Sequence, residues 1–485
     1  MTKELRRLSI LMLLMFLALF ASTSVIQVVQ AETLAENSRN TRALYDSYEV
    51  QRGSIIASGA AIASSVPSDD VYAWQRVYVD GDMWAPVTGY INPALGAATG
   101  IEQAMNQELS GTAGSQFLAR IDRILTGQPP RGSNVELTLD AAVQRAAYDA
   151  LGDLQGAVIA IEPSTGRVLA MVTSPSFDTN LLASHNTGEV NETYDALDAD
   201  PSHPLFNRAI GGDLNPPGST FKLVVASAAL ASGDYTPTST LPNPGSYQLP
   251  QSSSVVFNAG GGACGPGDTV TIADALRLSC NIPFAELAVL LGDTAIREEA
   301  EKYGFNAQFS MPLTSTASSY PRGLDDPQTA LTGFGQGQVT ATPLQMAMVS
   351  AGIANEGVVM NPRMVDQVIG PDLSVQQSFE DTEFGRALDS DIAAELTAMM
   401  VANVSDGAAS GARIDGVDVG GKTGTAENGA SRPYTLWFTG FAPAENPEVA
   451  VAVVVEDGGG QGQSGSGNTI AAPIAKKVME AVLGR

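Results

Sequence analysis

The sequence predicts an α/β protein: an antiparallel sheet of about five strands with helices on its faces, a smaller N-terminal module and one N-terminal transmembrane helix. Three observations predict this architecture. An apolar run near the N-terminus is long enough to cross a bilayer. Strand-like runs cluster at both ends of residues 135–485, and the chain between the two clusters is mostly helical. Strands that come from both ends of one domain favour a single sheet covered by helices.

The N-terminus has the pattern of a membrane anchor. Lys3, Arg6 and Arg7 precede the apolar residues 8–29. Basic residues before a span stay in the cytoplasm, so we expect a tail of residues 1–7 there and an extracytoplasmic remainder. This predicts a single-pass protein of the cell membrane. A cleaved signal peptide, with its cleavage site at 29–31, is the alternative, and it also exports the rest of the chain.

Composition and cysteine count narrow the function. The formal charge is −26, from 52 acidic and 26 basic side chains, and no basic cluster offsets it. Such a surface repels phosphate, which excludes nucleic acid as a partner, and it keeps the protein soluble. Export to an oxidising compartment favours a disulfide between Cys264 and Cys280, with two buried free thiols as the alternative.

Residues 32–134 form the predicted N-terminal module. They are polar and weakly periodic, with strand-like runs at 71–74 and 75–79 and a helical run at 101–109. The second domain, residues 135–485, begins with a strand-like run at 135–140, and Asp140 is a good N-cap for a helix over 141–151. Apolar runs around a Pro/Gly turn predict a hairpin. The remaining predicted elements are strands 157–161, 167–172, 417–421, 435–441 and 449–455, a helix over 470–483, and a mobile glycine-rich loop at 458–467.

Ser219 and Lys222 are the first candidate site residues. The chain has only six lysines, and Lys222 lies in a small, apolar helical run after Pro216, Pro217 and Gly218. Residues three apart share one helical face. Burial lowers the pKa of a lysine, which then acts as the base that a serine nucleophile requires. The alternatives are a surface lysine paired with an acid, and a serine paired with His185 or His203.

Two further segments carry candidate residues. Ser279 and Asn281 lie two apart at a predicted helix-to-loop junction, where such residues also serve as ordinary caps. Lys422 lies in Gly420-Gly-Lys-Thr-Gly-Thr425, where a cation beside the hydroxyls of Thr423 and Thr425 suits a carboxylate, and glycines such as Gly424 admit a ligand backbone. A phosphate-binding loop is excluded because the segment that follows Lys422 reads as a turn and a strand, whereas that motif is followed by a helix.

Taken in order, Ser219-Thr-Phe-Lys222, Ser279-Cys-Asn281 and Lys422-Thr-Gly424 resemble the three active-site motifs of penicillin-binding proteins and serine β-lactamases. The stretches Gly333–Gly337, Thr342–Ala347 and Trp437–Pro443 add to this resemblance, which covers nearly all of residues 135–485. The resemblance implies the penicillin-binding transpeptidase fold for this domain.

Within that superfamily the chain resembles a monofunctional, class B penicillin-binding protein, because residues before 135 are too few for a glycosyltransferase domain. Segments 37–42 and 52–56 are similar to the family's early motif, but after Ile55 the family's Asp-Arg-Asn-Gly is replaced by Ile56-Ala-Ser-Gly59. The size and the Cys264/Cys280 pair are most similar to the actinobacterial penicillin-binding protein A type. That type implies roles in septation and cell shape, and as partners a membrane glycosyltransferase of the SEDS type and divisome proteins.

The resemblance also implies a mechanism. Ser219 attacks a D-Ala-D-Ala stem peptide while Lys222 takes its proton. Ser279 passes a proton to the leaving D-Ala, and Asn281 holds the substrate amide. The segment Lys422–Thr425 binds the terminal carboxylate, and the backbone amides of Ser219 and Thr425 form the oxyanion hole. An amine of a second stem peptide resolves the acyl-enzyme, β-lactams acylate the same serine, and no metal or organic cofactor is implied.

Three other functions share these motifs. A class A β-lactamase requires a Glu-x-x-Leu-Asn element, which the sequence between Ser279 and Lys422 lacks. A D,D-carboxypeptidase differs only in using water as the acceptor. A non-catalytic scaffold or β-lactam sensor keeps the pocket without the reaction, but every motif residue is present here.

Overall fold

The computed structural model describes residues 2–30, 34, 50–70, 72–92, 95–113 and 131–485. Its strands, numbered in chain order, are β1 Ile55–Ala57, β2 Ala60–Pro67, β3 Trp74–Tyr78, β4 Ile91–Asn92, β5 Ala97–Ala98, β6 Asn134–Leu137, β7 Gly156–Ile161, β8 Val168–Ser174, β9 Thr240–Pro242, β10 Tyr247–Gln248, β11 Val255–Val256, β12 Thr269–Thr271, β13 Val358–Met360, β14 Val365–Ile369, β15 Val375–Ser378, β16 Glu383–Arg386, β17 Gly420–Ala426, β18 Thr435–Ala442 and β19 Val449–Val455.

The α-helices of the described residues are α1 Thr2–Ser24, α2 Gly81–Thr88, α3 Gly100–Ala104, α4 Asn106–Ser110, α5 Ala141–Leu151, α6 Thr179–Ala183, α7 Thr187–Ala199, α8 Lys222–Ala231, α9 Ile272–Arg277, α10 Ile282–Leu291, α11 Asp293–Lys302, α12 Asp326–Thr332, α13 Pro343–Ala354, α14 Ser390–Asp406 and α15 Ala471–Val482. The helix predicted at 141–151 has the expected N-cap, since the Asp140 carboxylate accepts from the backbone N–H groups of Ala142 and Val143.

The predicted five-stranded antiparallel sheet is confirmed. Its strand order is β17-β18-β19-β7-β8, so strands from both ends of the domain lie side by side. Helices α5 and α15 pack on one face and α13 packs on the other. Every residue of β7, β18 and β19 is therefore buried, which explains why β7 and β19 are continuous apolar runs without polar alternation.

Strand β17 lies at one edge of this sheet and begins later than predicted, at Gly420 instead of Val417. Its first two glycines face aromatic rings of β18. A Cβ on Gly420 would come 2.7 Å from the Phe441 ring, and one on Gly421 would come 2.6 Å from the Phe438 ring. Glycine weakens a strand in isolation, but close packing against these rings requires glycine at both positions.

A second sheet has six strands in the order β15-β14-β6-β1-β2-β3. The predicted strand at 135–140 is present as β6, but it belongs to this sheet and not to the five-stranded one. It pairs parallel with β1 and antiparallel with β14. The sheet therefore contains strands from both sides of residue 135, and the domain boundary proposed there remains a prediction.

The N-terminal module is organised around buried charges. Glu102 is fully buried and accepts from Arg52 Nε at 2.8 Å and from Arg76 Nε at 2.5 Å. Burial alone would raise the pKa of Glu102, but the two guanidinium groups outweigh it and hold that pKa below its usual value. The predicted helix at 101–109 is interrupted at Met105 and forms α3 and α4.

The structure describes only part of the segments that resemble the family's early motif or were predicted as strands in the module. Ser58 and Gly59, which replace the end of the family's early motif, both have positive φ and form the two-residue turn between β1 and β2. Segment 37–42 and Val71, the first residue of a predicted strand, lie outside the described residues.

The N-terminal helix fits the predicted span. Helix α1 continues through a π-helical turn, Val25–Val29. Within it Lys3–Gln27 is long and apolar enough to cross a membrane, with mean hydropathy 2.3 in its most apolar window.

Candidate active site

The turn that carries Ser219 begins with a 3-10 helix, Gly218–Phe221, and continues directly into α8. Gly218 has φ +55°, a conformation that favours glycine, and Pro217 precedes it. Ser219 and Lys222 share one helical face, as predicted, and Lys222 Nζ lies 3.0 Å from Ser219 Oγ. A partly exposed hydroxyl and a buried amine are therefore held within hydrogen-bond distance.

Lys222 is 0% exposed, and all its hydrogen-bond partners are neutral. Its ammonium donates to the Ser279 carbonyl oxygen at 2.8 Å and to Asn281 Oδ1 at 2.9 Å, besides Ser219. Burial, and secondarily the charge of Lys422, holds the pKa of Lys222 well below its usual value of 10.5. A lowered pKa favours the neutral amine, which is the form that can act as a general base.

Ser279 and Asn281 follow the last turn of α9. Ser279 has φ +60°, an uncommon conformation for a residue with a side chain. Its hydroxyl accepts from Lys422 Nζ at 2.7 Å, while its carbonyl oxygen accepts from Lys222. Asn281 Nδ2 donates to the Phe257 carbonyl oxygen at 3.1 Å. The segment thus joins both lysines, and the strained residue sits at the centre of the site.

Cys264 and Cys280 form a disulfide with Cα atoms 5.7 Å apart. Cys280 lies between Ser279 and Asn281, so the bond ties this segment to the loop 258–267. Asn243 fixes the same loop, since its side chain accepts from the Cys264 N–H and donates to the carbonyl oxygens of Cys264 and Gly267.

Replacing both cysteines with serine is expected to lower the free energy of unfolding by about 3 kcal/mol, the loop-closure term for a cross-link of this length. The measurement is thermal or denaturant unfolding of both proteins with and without a thiol reductant. The reductant is expected to lower the stability of the parent and to leave the stability of the variant unchanged. Equal stability of the two oxidised proteins would contradict the expectation.

Lys422, Thr423 and Thr425 lie on the edge strand β17. Lys422 is 0% exposed and also donates to the Thr423 carbonyl oxygen at 2.9 Å. The Thr423 hydroxyl donates to the Ala408 carbonyl oxygen at 3.1 Å. The Thr425 hydroxyl accepts from the Gly467 N–H at 3.3 Å, which leaves its own proton for a ligand. The loop predicted to be mobile thus packs against this strand.

The nucleophile turn and β17 are in close contact. A Cβ on Gly218 would come 3.2 Å from the Ala426 nitrogen, and one on Gly424 would come 2.8 Å from the Pro217 carbonyl oxygen. On the other side, Gly335 presses on the turn and accepts the Gly218 N–H at 2.9 Å. This packing puts the backbone at Ser219 beside the backbone at Thr425, the two segments expected to supply an oxyanion hole.

Burial lowers the pKa of Lys422 to about 7 from 10.5. Between these values the unfolded chain binds a proton that the folded chain has released, so the free energy of unfolding is expected to rise with pH across this window. The measurement is the melting temperature from pH 6.5 to 9. In the variant Lys422→Met, the rise of the melting temperature with pH is expected to be smaller. An identical rise in the two proteins would contradict a lowered pKa of Lys422 as its cause.

The alternatives to a lysine base lie elsewhere. His185 Nδ1 lies 2.5 Å from Asp70 Oδ2, and His203 stacks on Phe206 with ring centroids 4.8 Å apart. The segment around Lys422 continues as a strand to Ala426, as predicted when a phosphate-binding loop was excluded.

Two residues near the site make contacts that the sequence did not predict. The Trp437 indole N–H donates to the Pro216 carbonyl oxygen at 3.0 Å and so fixes the turn before the nucleophile. Asn258 Oδ1 accepts from the backbone N–H of Asn281 at 2.9 Å and of Ile282 at 3.0 Å. Neither contact follows from spacing, because both join segments far apart in the chain.

Comparisons with known proteins agree with this geometry. The family model described as the penicillin binding protein transpeptidase domain matches residues 156–480, and one described as the penicillin binding protein A dimerisation domain matches residues 52–135. The protein called peptidoglycan D,D-transpeptidase PbpA in Mycolicibacterium smegmatis is 40% identical over 492 aligned residues, which cover 100% of this chain and 99% of that protein. The protein of the same name in Mycobacterium tuberculosis is 39% identical with the same coverage.

Solved structures show the same similarity. The ceftriaxone acyl-enzyme complex of penicillin-binding protein A from Mycobacterium tuberculosis has 39% identity and a TM-score of 0.87, and the match covers 90% of this chain and 100% of that one. The D,D-transpeptidase domain of a peptidoglycan glycosyltransferase from Eggerthella lenta has 31% identity and a TM-score of 0.78, covering 90% and 99% of the two chains.

Proposed function

Because the chain belongs to the penicillin-binding proteins, we propose that Ser219 is the residue that forms their acyl-enzyme and that the groups around it divide the remaining steps. The chain is a peptidoglycan D,D-transpeptidase. It acts on stem peptides in cell-wall synthesis and it binds β-lactams. The roles of individual residues, the membrane topology and the partner proteins are the proposals that follow.

Acylation begins at Ser219 Oγ, which attacks the carbonyl carbon between the two D-Ala residues of the donor. Lys222 accepts the hydroxyl proton, and a tetrahedral intermediate forms. As the C–N bond breaks, Ser279 passes to the departing amine the proton that Lys222 took from Ser219, and free D-Ala leaves. The 3.0 Å distance between Lys222 Nζ and Ser219 Oγ is the observation that carries this assignment.

Groups of the site stabilise the negative charges of the oxyanion and of the substrate's terminal carboxylate. Backbone N–H groups of Ser219 and Thr425 stabilise the oxyanion. Lys422 and the hydroxyls of Thr423 and Thr425 hold the terminal carboxylate, and Asn281 binds the substrate amide through Nδ2. The amine of a second stem peptide then attacks the acyl carbon and gives up a proton. That proton returns to Ser219 Oγ as the ester bond breaks, and a peptide cross-link is released.

The experiment that tests this function uses the full chain in detergent. It is incubated with a penicillin and its intact mass is recorded, and in parallel it receives a D-Ala-D-Ala stem peptide with and without an amine acceptor. A stable drug adduct and acceptor-dependent product are expected. D-Ala release without transfer would indicate a carboxypeptidase, hydrolysed drug without adduct a β-lactamase, and intact drug without adduct or product a scaffold.

We place the catalytic domain outside the cell membrane, with the helix within residues 8–29 as a single-pass anchor and residues 1–7 in the cytoplasm. The candidate span Lys3–Gln27 and the basic residues before it support this topology. Protease added to intact cells after removal of the wall is expected to degrade the domain but leave the tail. N-terminal sequencing distinguishes the retained anchor from a cleaved signal peptide.

A partner must supply the glycan strands that this chain cross-links. We propose a membrane glycosyltransferase of the SEDS type together with divisome proteins, and a role in septation and cell shape. Purification of the tagged chain from native membranes tests this, and recovery of a multi-span glycosyltransferase is expected. Recovery of septal proteins without it would overturn the first part of the proposal.

A further inference from the structure

We propose that Asn258 is a positioning residue for the reaction: it holds Asn281 in place so that the Asn281 side chain serves Lys222 and the substrate. This inference rests on the proposed roles of Asn281 and Lys222. Asn258 follows strand β11 and belongs to none of the three motifs.

The reasoning starts from the cap of α10. Asn281 is the N-cap residue, and an asparagine at this position ordinarily caps the helix with its own side chain. Here it makes no such bond, because Asn281 Oδ1 accepts from Lys222 Nζ instead. The first N–H groups of the helix would otherwise lack an acceptor, and unpaired buried groups are costly.

Asn258 supplies the missing acceptor from another segment. Its Oδ1 accepts the N–H of Asn281 and the N–H of Ile282, at 2.9 and 3.0 Å. The next residue, Pro283, has no N–H, so one side-chain oxygen satisfies this part of the helix start. Asn258 therefore caps α10, and the side chain of Asn281 is available to Lys222 in the active site.

The orientation of Asn258 is itself fixed. The side chain is 6% exposed, and its Nδ2 donates to the Gly262 carbonyl oxygen at 3.0 Å. That bond leaves Oδ1 directed at the start of α10. Immediately before it, the Phe257 carbonyl oxygen accepts from Asn281 Nδ2. Consecutive residues therefore fix both the backbone and the side-chain amide of Asn281.

The test compares Asn258→Ala, Asn258→Asp and a matched control, Asn243→Ala. Asn243 is a similarly buried asparagine that holds the same loop, but its side-chain hydrogen bonds go to Cys264 and Gly267 and not to residues 279–282. The second-order rate of acylation by a penicillin is expected to fall about 10- to 100-fold in Asn258→Ala, the range for a displaced reacting group. Asn258→Asp keeps the acceptor and loses the Gly262 bond, so it is expected to retain most of the rate even where its melting temperature falls.

A double-mutant cycle separates positioning from general stability. In the Asn281→Ala background, Asn258→Ala is expected to slow acylation little further, because Asn258 acts through the side chain that has been removed. Full additivity, an equal loss in Asn243→Ala, or an Asn258→Asp protein as slow as Asn258→Ala would each overturn the inference. Absence of acylation in the parent would instead contradict the proposed function.

Discussion

Ser219→Ala is expected to abolish the covalent penicillin adduct and the transfer of stem peptides. Removing the nucleophile of a serine hydrolase costs on the order of 10⁶ in rate, because no neighbouring group replaces the hydroxyl. Ser219 is partly exposed, and within the part of the chain that the structure describes its hydroxyl forms a side-chain hydrogen bond with Lys222 alone, so the fold is expected to persist. Intact mass after incubation with drug gives the result directly.

The matched control is Ser232→Ala, an exposed serine just after the same helix whose hydroxyl caps the Ala229 carbonyl oxygen. It is expected to form the adduct as the parent does. An adduct that persists in Ser219→Ala would place the nucleophile elsewhere, and peptide mapping of the modified residue would then identify it.

Lys222→Met is expected to slow acylation by about 10² to 10⁴, the usual contribution of a positioned base. Methionine fills a similar volume without a proton acceptor of comparable strength. Lys222→Arg keeps the positive charge, but a guanidinium does not give up its proton in proteins, so it is expected to be as slow. The measurement is the second-order rate constant for acylation as a function of pH.

Lys476→Met serves as the control for loss of a lysine. Lys476 lies half-exposed on α15 and pairs with Glu480 at 3.7 Å, so its removal is expected to leave the rate unchanged. Rapid acylation by Lys222→Arg would show that charge, and not proton transfer, is what the site requires of this residue. Equal rate constants for acylation in Lys222→Met and the parent would show that Lys222 takes no part in proton transfer.

Much of the fold followed from local patterns. Asp140 before an amphipathic run predicts a helix start, and apolar runs around a Pro/Gly turn predict the hairpin of β7 and β8. These signals are short-range, so the sequence carries them directly. The spacing of Ser219 and Lys222 predicted their contact for the same reason, since one helical turn determines it.

Other features depend on contacts between distant segments. Strand β6 pairs with β1 and β14, and β1 and β14 are far apart in the chain, so the place of β6 in the six-stranded sheet is settled only by tertiary packing. The close contacts of Gly420 and Gly421 with the rings of β18 likewise depend on how β17 and β18 pair. Asn258 had no detectable signal, because its two acceptor bonds are to backbone N–H groups, which every sequence provides.

The order of strands in the five-stranded sheet has a consequence for how the protein folds. Strand β7 pairs with β19, so the sheet can close only when residues near 450 reach residues near 160. Closing so long a segment of chain has an entropic cost that only the final contacts offset, and such topologies fold slowly. Lys422 arrives with the last three strands. We therefore expect the two buried lysines to come together late in folding, so that the catalytic centre forms only once the sheet has closed.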